Sequence, residues 1–491
     1  MKRTKDASNP WTARRLLDLP NVLLGHVLKW LPIVQVQADL QHVCKQMQTV
    51  IQAGHGFEVV ANTQWDKYDF LLWLRQYGTR LRRLRVGTLL PYMLESCPNL
   101  DSLSCWHVIP NATQLDKYLA SRKRPLSIEA PYFDLCVRQD TCVGPHVECR
   151  SLDATPDADL SNIRHFVLVC REEIEPRLEQ TTQDALLTLL HLGHLETLDF
   201  KMTWLRDEYV HHLYSALAHC ARLQTLTLYG GWIDKNLIVI LRDHCPHLTS
   251  LTLEAWQPLD DDIRTLATVS SLKHLDLYGE QGVTPNWREL TLELQTFWIG
   301  ASDPGVYLSC LPPHVVALTI DEELVADDIL SNSSLYPHCT SLTVYGDLVP
   351  NGRKWTSPRL RSLVHSFPHL QHLNVRCSPY VLYTVASTTG LPLSLQSITC
   401  RAPYKCEYTK TVQPPRLLSE HKLNRLTLTS SSEDVETKGA YIGQTLQSLL
   451  VPLVALFPTL RILELGGWSL VVDQHCVITA LSRVMIRDLV H

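Results

Sequence analysis

The sequence lacks a run of apolar residues long enough to cross a membrane. Even residues 446–457 contain Gln447, Ser448 and a proline, whereas a spanning helix needs about 18 to 20 apolar residues. Residues 1–15 are polar and basic and lack the apolar segment of a secretory leader. We therefore expect a soluble protein of the cytoplasm, the nucleus or both, with no membrane partner.

The sequence also lacks a large excess of charge of either sign. Its 45 lysines and arginines stand against 50 aspartates and glutamates, which gives a formal net charge of −5. Such a balance supplies no overall cationic field to attract nucleic acid. We predict that nucleic acid is not a partner.

The strong catalytic signatures are missing as well. There is no Walker loop, no His-Glu-x-x-His and no Gly-x-Ser-x-Gly segment. The best metal candidate combines Cys136, Cys142, His146 and Cys149, whose side chains suit zinc but whose spacing has no Cys-x2-Cys pair. We predict no catalytic residue, no metal and no cofactor, and an enzyme with a metal site around Cys136 is kept as an alternative.

A pattern of three apolar positions, apolar-x-x-apolar-x-apolar, recurs along the chain. Copies that begin at Leu223, Leu248 and Leu272 follow one another at intervals of 25 and 24 residues. A period of about 20 to 29 residues with this pattern is typical of leucine-rich repeats. Further copies begin at Leu81, Leu100, Ile163, Leu195, Val315, Cys339, Leu370, Leu395, Leu423 and Leu460, and a weaker copy begins at Trp287.

The 15 cysteines fit these repeats better than a disulfide framework. Several of them stand just before the first apolar position of a repeat, namely Cys97, Cys220, Cys245 and, as that position itself, Cys339. Free cysteine behaves as a small apolar residue, and thiols stay reduced in the cytosol and nucleus. We expect these cysteines to be buried and unpaired.

The repeat pattern predicts an α/β fold, a leucine-rich-repeat solenoid shaped as a horseshoe, over residues 81–491. One repeat alone buries too little apolar surface to be stable, so neighbouring repeats must share their core. Ahead of the repeats, residues 14–53 have apolar positions at helical spacing and predict a small all-α module. Residues 1–13 are expected to form a flexible tail, and residues 54–80 a linking helix.

The helical module resembles an F-box. The resemblance is carried by the segment from Leu16 to Pro32, which opens with Leu19-Pro20, and by the later triplet Val43-Cys44-Lys45. An F-box followed by leucine-rich repeats is similar to the arrangement of F-box/LRR proteins. That family implies docking of the F-box on the Skp-type linker of an SCF (Skp-cullin-F-box) ubiquitin ligase. Carried over by position, the linker-binding residues are Leu19, Pro20, Leu24, Val27, Leu28, Leu31, Val43 and Cys44.

The resemblance implies a non-catalytic substrate adaptor. The linker would join the chain to a cullin-RING ligase, while the repeats hold an unknown protein substrate for ubiquitination and ubiquitin-dependent degradation. The alternative is a leucine-rich-repeat scaffold that binds a protein without any ligase. In that case the helical segment is only a cap on the repeats.

The outward strand positions are the candidate substrate site. Side chains alternate along a strand, so the residues between the apolar anchors point away from the core, onto the concave face of a leucine-rich-repeat solenoid. Trp232, Trp256 and Trp468 lie just past strands and either bind a partner or pack under neighbouring loops. The acidic and aromatic character around Glu254 favours a basic peptide over an acidic one. The predicted substrate-binding residues are Tyr229, Glu254, Asp276, Tyr278, Tyr345 and Arg376.

Overall fold

The structure is a computed structural model. The chain consists of two compact units, residues 1–223 and 224–491. The described residues are 58–61, 71, 74–75, 78–87, 91–105, 112–122, 124–137, 139, 143–154, 158–170, 192–202, 207–229, 233–254, 259–279, 286–301, 311–321, 336–345, 356–377, 379–388, 391–402, 422–430, 456–457, 459–465 and 468–471.

The described strands of the first unit form a parallel ladder in which each strand pairs with the next. The register between the fourth and fifth strands shifts between Leu126 and Ile128 and again between Ala130 and Asp134. Irregular pairing of this kind bends a sheet locally. The strands are β1 (Glu58–Ala61), β2 (Arg83–Val86), β3 (Ser102–Cys105), β4 (Leu126–Val137), β5 (Val143–Ala154), β6 (His165–Cys170) and β7 (Thr197–Met202).

Three helices are described in the first unit: α1 (Pro91–Ser96), α2 (Ala112–Ala120) and α3 (Asp207–Ala218). A 3-10 turn, Gly78–Arg80, leads towards β2. A Cβ atom at Gly78 would collide with the backbone carbonyl of Ser96 at the end of α1. Glycine is therefore required at this close approach of two backbone segments.

The segment predicted as a linking helix, residues 54–80, contains a strand. Residues 58–61 form β1, which pairs in parallel with β2. Val59 and Val60 explain this strand, because β-branched residues favour extended backbone. Leu71, Leu74 and Arg75 are helical.

The strands of the second unit continue the same design. Each of β8 to β16 pairs in parallel with the next strand, and β17 pairs with β18 in the antiparallel direction. They are β8 (Thr225–Tyr229), β9 (Ser250–Glu254), β10 (His274–Gly279), β11 (Leu294–Ala301), β12 (Val315–Asp321), β13 (Ser341–Tyr345), β14 (His372–Val375), β15 (Ser397–Ala402), β16 (Arg425–Ser430), β17 (Ile462–Leu465) and β18 (Trp468–Val471).

Two helices of the second unit, those that begin at Lys235 and Ser357, have polar N-caps. Asp234 accepts a hydrogen bond from the backbone N–H of Leu237, and Thr356 accepts one from that of Arg359. Side-chain oxygens at this position satisfy N–H groups that have no partner inside the helix. The helices are α4 (Lys235–His244), α5 (Asp260–Leu266), α6 (Ser357–His365) and α7 (Pro379–Thr388), with a 3-10 turn at Trp287–Glu289.

Backbone hydrogen bonds join the turn before each strand to the next repeat. The carbonyl of Gln224 accepts from the N–H groups of Thr249 and Ser250, and the carbonyl of Thr249 accepts from those of Lys273 and His274. The same two-donor arrangement occurs in the first unit, for example at the carbonyl of Arg82. Each turn therefore fixes the register of the strand that follows it.

The predicted anchors are buried. Leu226, Leu251 and Leu275 are each 0% exposed, and the other described anchors are at most 8% exposed. Burying a leucine side chain stabilises a fold by about 1.5–3 kcal/mol, so the strands are held chiefly by this shared apolar layer. The leucine-rich-repeat interpretation of the pattern is confirmed.

The cysteines before the anchors also lie where the sequence predicts. Cys97, Cys220, Cys245 and Cys339 are buried free thiols. Burial raises the pKa of Cys97 and Cys339 to about 12 and that of Cys220 to about 11. Thiols with such pKa values are poor nucleophiles and serve as core residues.

The prediction of a repeat that begins at Trp287 is wrong in its frame. Trp287 forms a 3-10 turn and is fully buried, with its ring 5.8 Å from that of Phe297. The strand comes later, as β11, and its buried anchors are Leu294, Phe297 and Ile299. The spacing apolar-x-x-apolar-x-apolar fits both frames, and packing selects the second one.

A buried arginine closes the end of α2. The guanidinium of Arg122 lies 5.0 Å from the ring centroid of Tyr118, whose hydroxyl donates to the carbonyl of Cys97 at 2.5 Å. The Arg122 side chain is 8% exposed, so it belongs to the core. It donates hydrogen bonds to the Tyr118 hydroxyl and to the backbone carbonyls of Pro98, Leu100 and Arg124.

Candidate protein-binding surface

The described outward strand positions of β8, β9 and β10 are mostly polar. In β8, Leu226 and Leu228 are buried, whereas Thr225, Thr227 and Tyr229 are half-buried. The same alternation holds in β9 and through the described part of β10. The prediction of which side chains point outward is therefore confirmed for these strands.

The parallel register aligns three of the predicted site residues in one row. Tyr229 of β8 pairs with Glu254 of β9, and Glu254 pairs with Tyr278 of β10. Neighbouring strands lie roughly 4.8 Å apart, so the backbone of a carboxylate residue is placed between those of two tyrosines.

A second row lies two residues earlier on the same strands. Asp276 of β10 pairs with Thr252 of β9 on one side and with Trp298 of β11 on the other. Aspartate, threonine and tryptophan here occupy outward positions, and the Asp276 and Trp298 side chains are half-buried. We define the acidic aromatic patch by the residues of both rows that carry charge or an aromatic ring, namely Tyr229, Glu254, Asp276, Tyr278 and Trp298.

The carboxyl group of Asp276, which belongs to this patch, has a shifted pKa. Burial raises the pKa of its carboxyl group, while His274 and a hydrogen bond from the Thr252 hydroxyl act in the opposite direction. The imidazole of His274 lies with its Nδ1 2.9 Å from Oγ1 of Thr296. The neighbours thus compensate only part of what Asp276 loses in solvation.

Charge is distributed unevenly along the outward face of the second unit. From β8 to β13 none of the outward positions that the structure describes is a lysine or an arginine. Later in the chain, the half-buried Arg376 follows β14 and the exposed Arg425 begins β16. Arg425 is paired with Glu464 of β17 at 3.5 Å.

The six predicted site residues therefore fall into two groups. Tyr229, Glu254, Asp276 and Tyr278 occupy paired or diagonal register positions on β8, β9 and β10. Tyr345, which is 43% exposed, lies on β13 opposite Asp321, and Arg376 follows the last residue of β14. The last two residues border the basic end of the face instead.

Sequence reasoning missed Trp298. A repeat that begins at Trp287 ends at Leu292, so it predicts no strand, and no outward side chain, at residues 294–301. The pattern Leu294-x-x-Phe297-x-Ile299 was the available signal, since it places Thr296 and Trp298 outward. Of the tryptophans that were considered, Trp232 and Trp256 and the side chain of Trp468 lie outside the described residues.

The outward face of the first unit carries a different set of titratable residues. Glu129 of β4 pairs with Glu148 of β5, and His146 pairs with His165 of β6 with ring centroids 6.3 Å apart. Burial, followed by the charge of His165, lowers the pKa of His146. These residues share a face without converging on one point.

In the alternative zinc site around Cys136, two of the four predicted ligands, His146 and Cys149, cannot bind the same ion. His146 is a half-buried outward residue of β5, whereas Cys149 is 0% exposed on the inward side of the same strand. Residues on opposite faces of a strand cannot bind one ion. In the part of the chain that the structure describes, no group of three or more His, Cys, Asp or Glu residues is arranged to hold a metal.

The predicted linker-binding residues lie outside the described residues. This applies to Leu19, Pro20, Leu24, Val27, Leu28, Leu31, Val43 and Cys44. Within the described ranges no helix has the length and apolar character needed to cross a membrane.

Comparison with known proteins identifies the first module. The family model of the F-box domain matches residues 16–53. No curated protein matches the sequence. Among solved structures the fold is similar to the leucine-rich repeat-containing protein LegL7 from Legionella pneumophila, at 14% identity and a TM-score of 0.33, over 66% of this chain and 91% of that one. The match to the F-box model, together with the parallel strands and buried anchors described above, shows an F-box domain followed by leucine-rich repeats.

Proposed function

We propose that the protein is the substrate-recognition adaptor of an SCF-type E3 ubiquitin ligase. The observation that carries the proposal is the match of the F-box domain to residues 16–53, directly ahead of a leucine-rich-repeat fold. F-box domains generally bind Skp-type linkers, and the repeats offer a broad outward strand face for a protein. The chain itself is a non-catalytic adaptor, and the catalytic step belongs to its partners.

The F-box residues have the chemistry that this docking requires. Leu19, Leu24, Val27, Leu28 and Leu31 are apolar in a module of about 40 residues, which is too small to bury all of them in a core of its own. A linker subunit would cover the remaining apolar surface and join the chain to a cullin-RING ligase. The buried free thiols of the repeats fit a reducing compartment, so we place the protein in the cytoplasm or nucleus.

Co-purification from cells tests the proposal. Tagged full-length protein should retain a Skp-type linker and a cullin, and the double substitution Leu19→Ala/Pro20→Ala should release both while the repeats still fold. Exposed Leu393→Ala provides the matched control, because it also removes an apolar side chain but lies in the repeats at 55% exposure. Absence of linker and cullin from the wild-type sample would favour the scaffold without ligase.

A further inference from the structure

The acidic aromatic patch contains two carboxylate residues at diagonal positions on adjacent strands. Glu254 of β9 and Asp276 of β10 are diagonal neighbours, because Asp276 pairs with Thr252, two residues before Glu254. With strands roughly 4.8 Å apart and a rise of about 3.3 Å per residue, diagonal neighbours on a parallel sheet lie about 8 Å apart. This spacing suits two cationic side chains of one extended peptide, or one large cation between both carboxylates.

No lysine or arginine on the strands from β8 to β13 faces Asp276 to match its charge. Its partners across the strands are a threonine hydroxyl and an indole, and the outward positions of these strands are otherwise neutral, acidic or histidine. Partial burial of the carboxylate is unfavourable to folding, as the raised pKa of Asp276 also indicates. A cationic ligand would supply the missing compensation at this point.

The aromatic residues of the patch favour the same ligand. Tyr229 and Tyr278 flank Glu254 in the register, and Trp298 flanks Asp276. Electron-rich ring faces attract guanidinium and ammonium groups, with tryptophan the strongest of the three aromatic residues. Tyrosine and tryptophan are also the residues that contribute most often to binding energy at protein interfaces.

We propose that the acidic aromatic patch binds an arginine- or lysine-containing peptide segment of the protein substrate. The inference rests on the proposed function for its view of the partner as a substrate. The carboxylates of Glu254 and Asp276 bind the cationic groups, and Tyr229 and Trp298 contact their apolar stems and charged ends. Arg376, Arg401 and Arg425 lie beyond this patch, so an acidic segment would select the other end of the face.

Selection from a peptide library tests this inference and does not require the substrate to be identified. Random dodecapeptides displayed on phage are selected on the purified full-length protein, on Glu254→Gln/Asp276→Asn, on Glu254→Lys/Asp276→Asn and on Asp243→Asn. The last variant is the matched control, since Asp243 is an exposed carboxylate of α4 that pairs with Arg242 on the helix side. Circular dichroism melting curves verify that each variant is folded.

We expect the wild type and Asp243→Asn to enrich arginine and lysine at least threefold over the unselected library. The Glu254→Gln/Asp276→Asn variant should lose this enrichment. The Glu254→Lys/Asp276→Asn variant should enrich acidic peptides instead. The affinity for a selected peptide should be at least tenfold lower in Glu254→Gln/Asp276→Asn than in the wild type. The affinity of the wild type should also fall at high salt. The inference would be overturned if the wild type selected acidic or uncharged peptides or no peptides at all. It would also be overturned if Glu254→Gln/Asp276→Asn enriched arginine and lysine as strongly as the wild type.

The outcome is separable from that of the ligase proposal. The selection uses the purified chain alone, whereas linker retention is measured in cells and depends on residues 16–53. A chain that retains the linker but shows no preference for basic peptides would leave the adaptor role intact and overturn only the inference. Preference for basic peptides without linker retention would support a scaffold with this specificity.

Discussion

Asp276 of β10 lies directly opposite Trp298 of β11 in the parallel register of the second unit. The two residues sit on the outward face, between the buried anchors Leu275 and Leu277 on one strand and Phe297 and Ile299 on the other. A carboxylate in this position contributes little to the apolar core.

The substitution Asp276→Asn tests whether this carboxylate costs stability. Because its pKa is raised in the folded state, the folded chain binds more protons than the unfolded chain between the ordinary and the raised value. The associated stability is present at low pH and is lost as pH rises through the raised pKa. At pH 7 we expect Asp276→Asn to be as stable as the wild type or about 0.5 kcal/mol more stable.

Urea unfolding between pH 7 and about pH 4 measures this effect, since ordinary aspartates become protonated near the lower limit. Any advantage of the asparagine variant should shrink on acidification, as Asp276 of the wild type becomes neutral. A variant that is less stable than the wild type by more than about 1 kcal/mol at pH 7 would show that the carboxylate stabilises the fold.

The frame of β11 is tested by truncation of its central anchor. Phe297→Ala should lower the free energy of unfolding by about 3–5 kcal/mol, because it leaves a cavity beside Trp287. The control is Gln295→Ala, since Gln295 is exposed on the same strand and should change stability by no more than about 0.5 kcal/mol. Equal, small effects at both positions would contradict the assigned frame.

Most of the repeat architecture is predictable because three apolar positions per repeat carry so much of the burial. The copies near Trp287 are the exception, since Trp287-Leu290-Leu292 and Leu294-Phe297-Ile299 have the same spacing and compete for one strand. Only packing against the neighbouring strands distinguishes them. The strand at residues 58–61 was missed because four residues are too short for a periodic pattern to be evident.

Removal of the buried arginine should destabilise the first unit. Arg122→Ala leaves the carbonyls of Pro98 and Leu100 and the hydroxyl of Tyr118 without their donor. We expect a loss of about 1–3 kcal/mol, the cost of leaving a buried acceptor without its donor. Arg124→Ala, at an exposed position two residues later, should have little effect in the same urea titration.

The buried thiols should resist alkylation. With pKa values of about 12, 11 and 12, Cys97, Cys220 and Cys339 should react with iodoacetamide at pH 8 about a hundred- to a thousandfold more slowly than in the unfolded chain. Mass spectrometry of native and urea-unfolded samples quantifies the modification of each peptide. Rapid native labelling at these positions would contradict their assignment to the core.

The site was predictable to a smaller extent than the fold. Alternation along each strand identifies Tyr229, Glu254, Asp276 and Tyr278 as outward residues, but their proximity depends on the register between strands. That register comes from the turn hydrogen bonds, such as those to the carbonyls of Gln224 and Thr249, which have no distinct sequence pattern.

Linker binding by the purified protein is the most direct test of the adaptor role. Full-length protein, co-expressed with a Skp-type linker, is analysed by size-exclusion chromatography with light scattering. The account predicts a one-to-one complex for the wild type and for Leu393→Ala, and free linker for folded Leu19→Ala/Pro20→Ala. A wild-type protein that elutes without the linker, or a double variant that binds it as tightly as the wild type, would contradict the central claim.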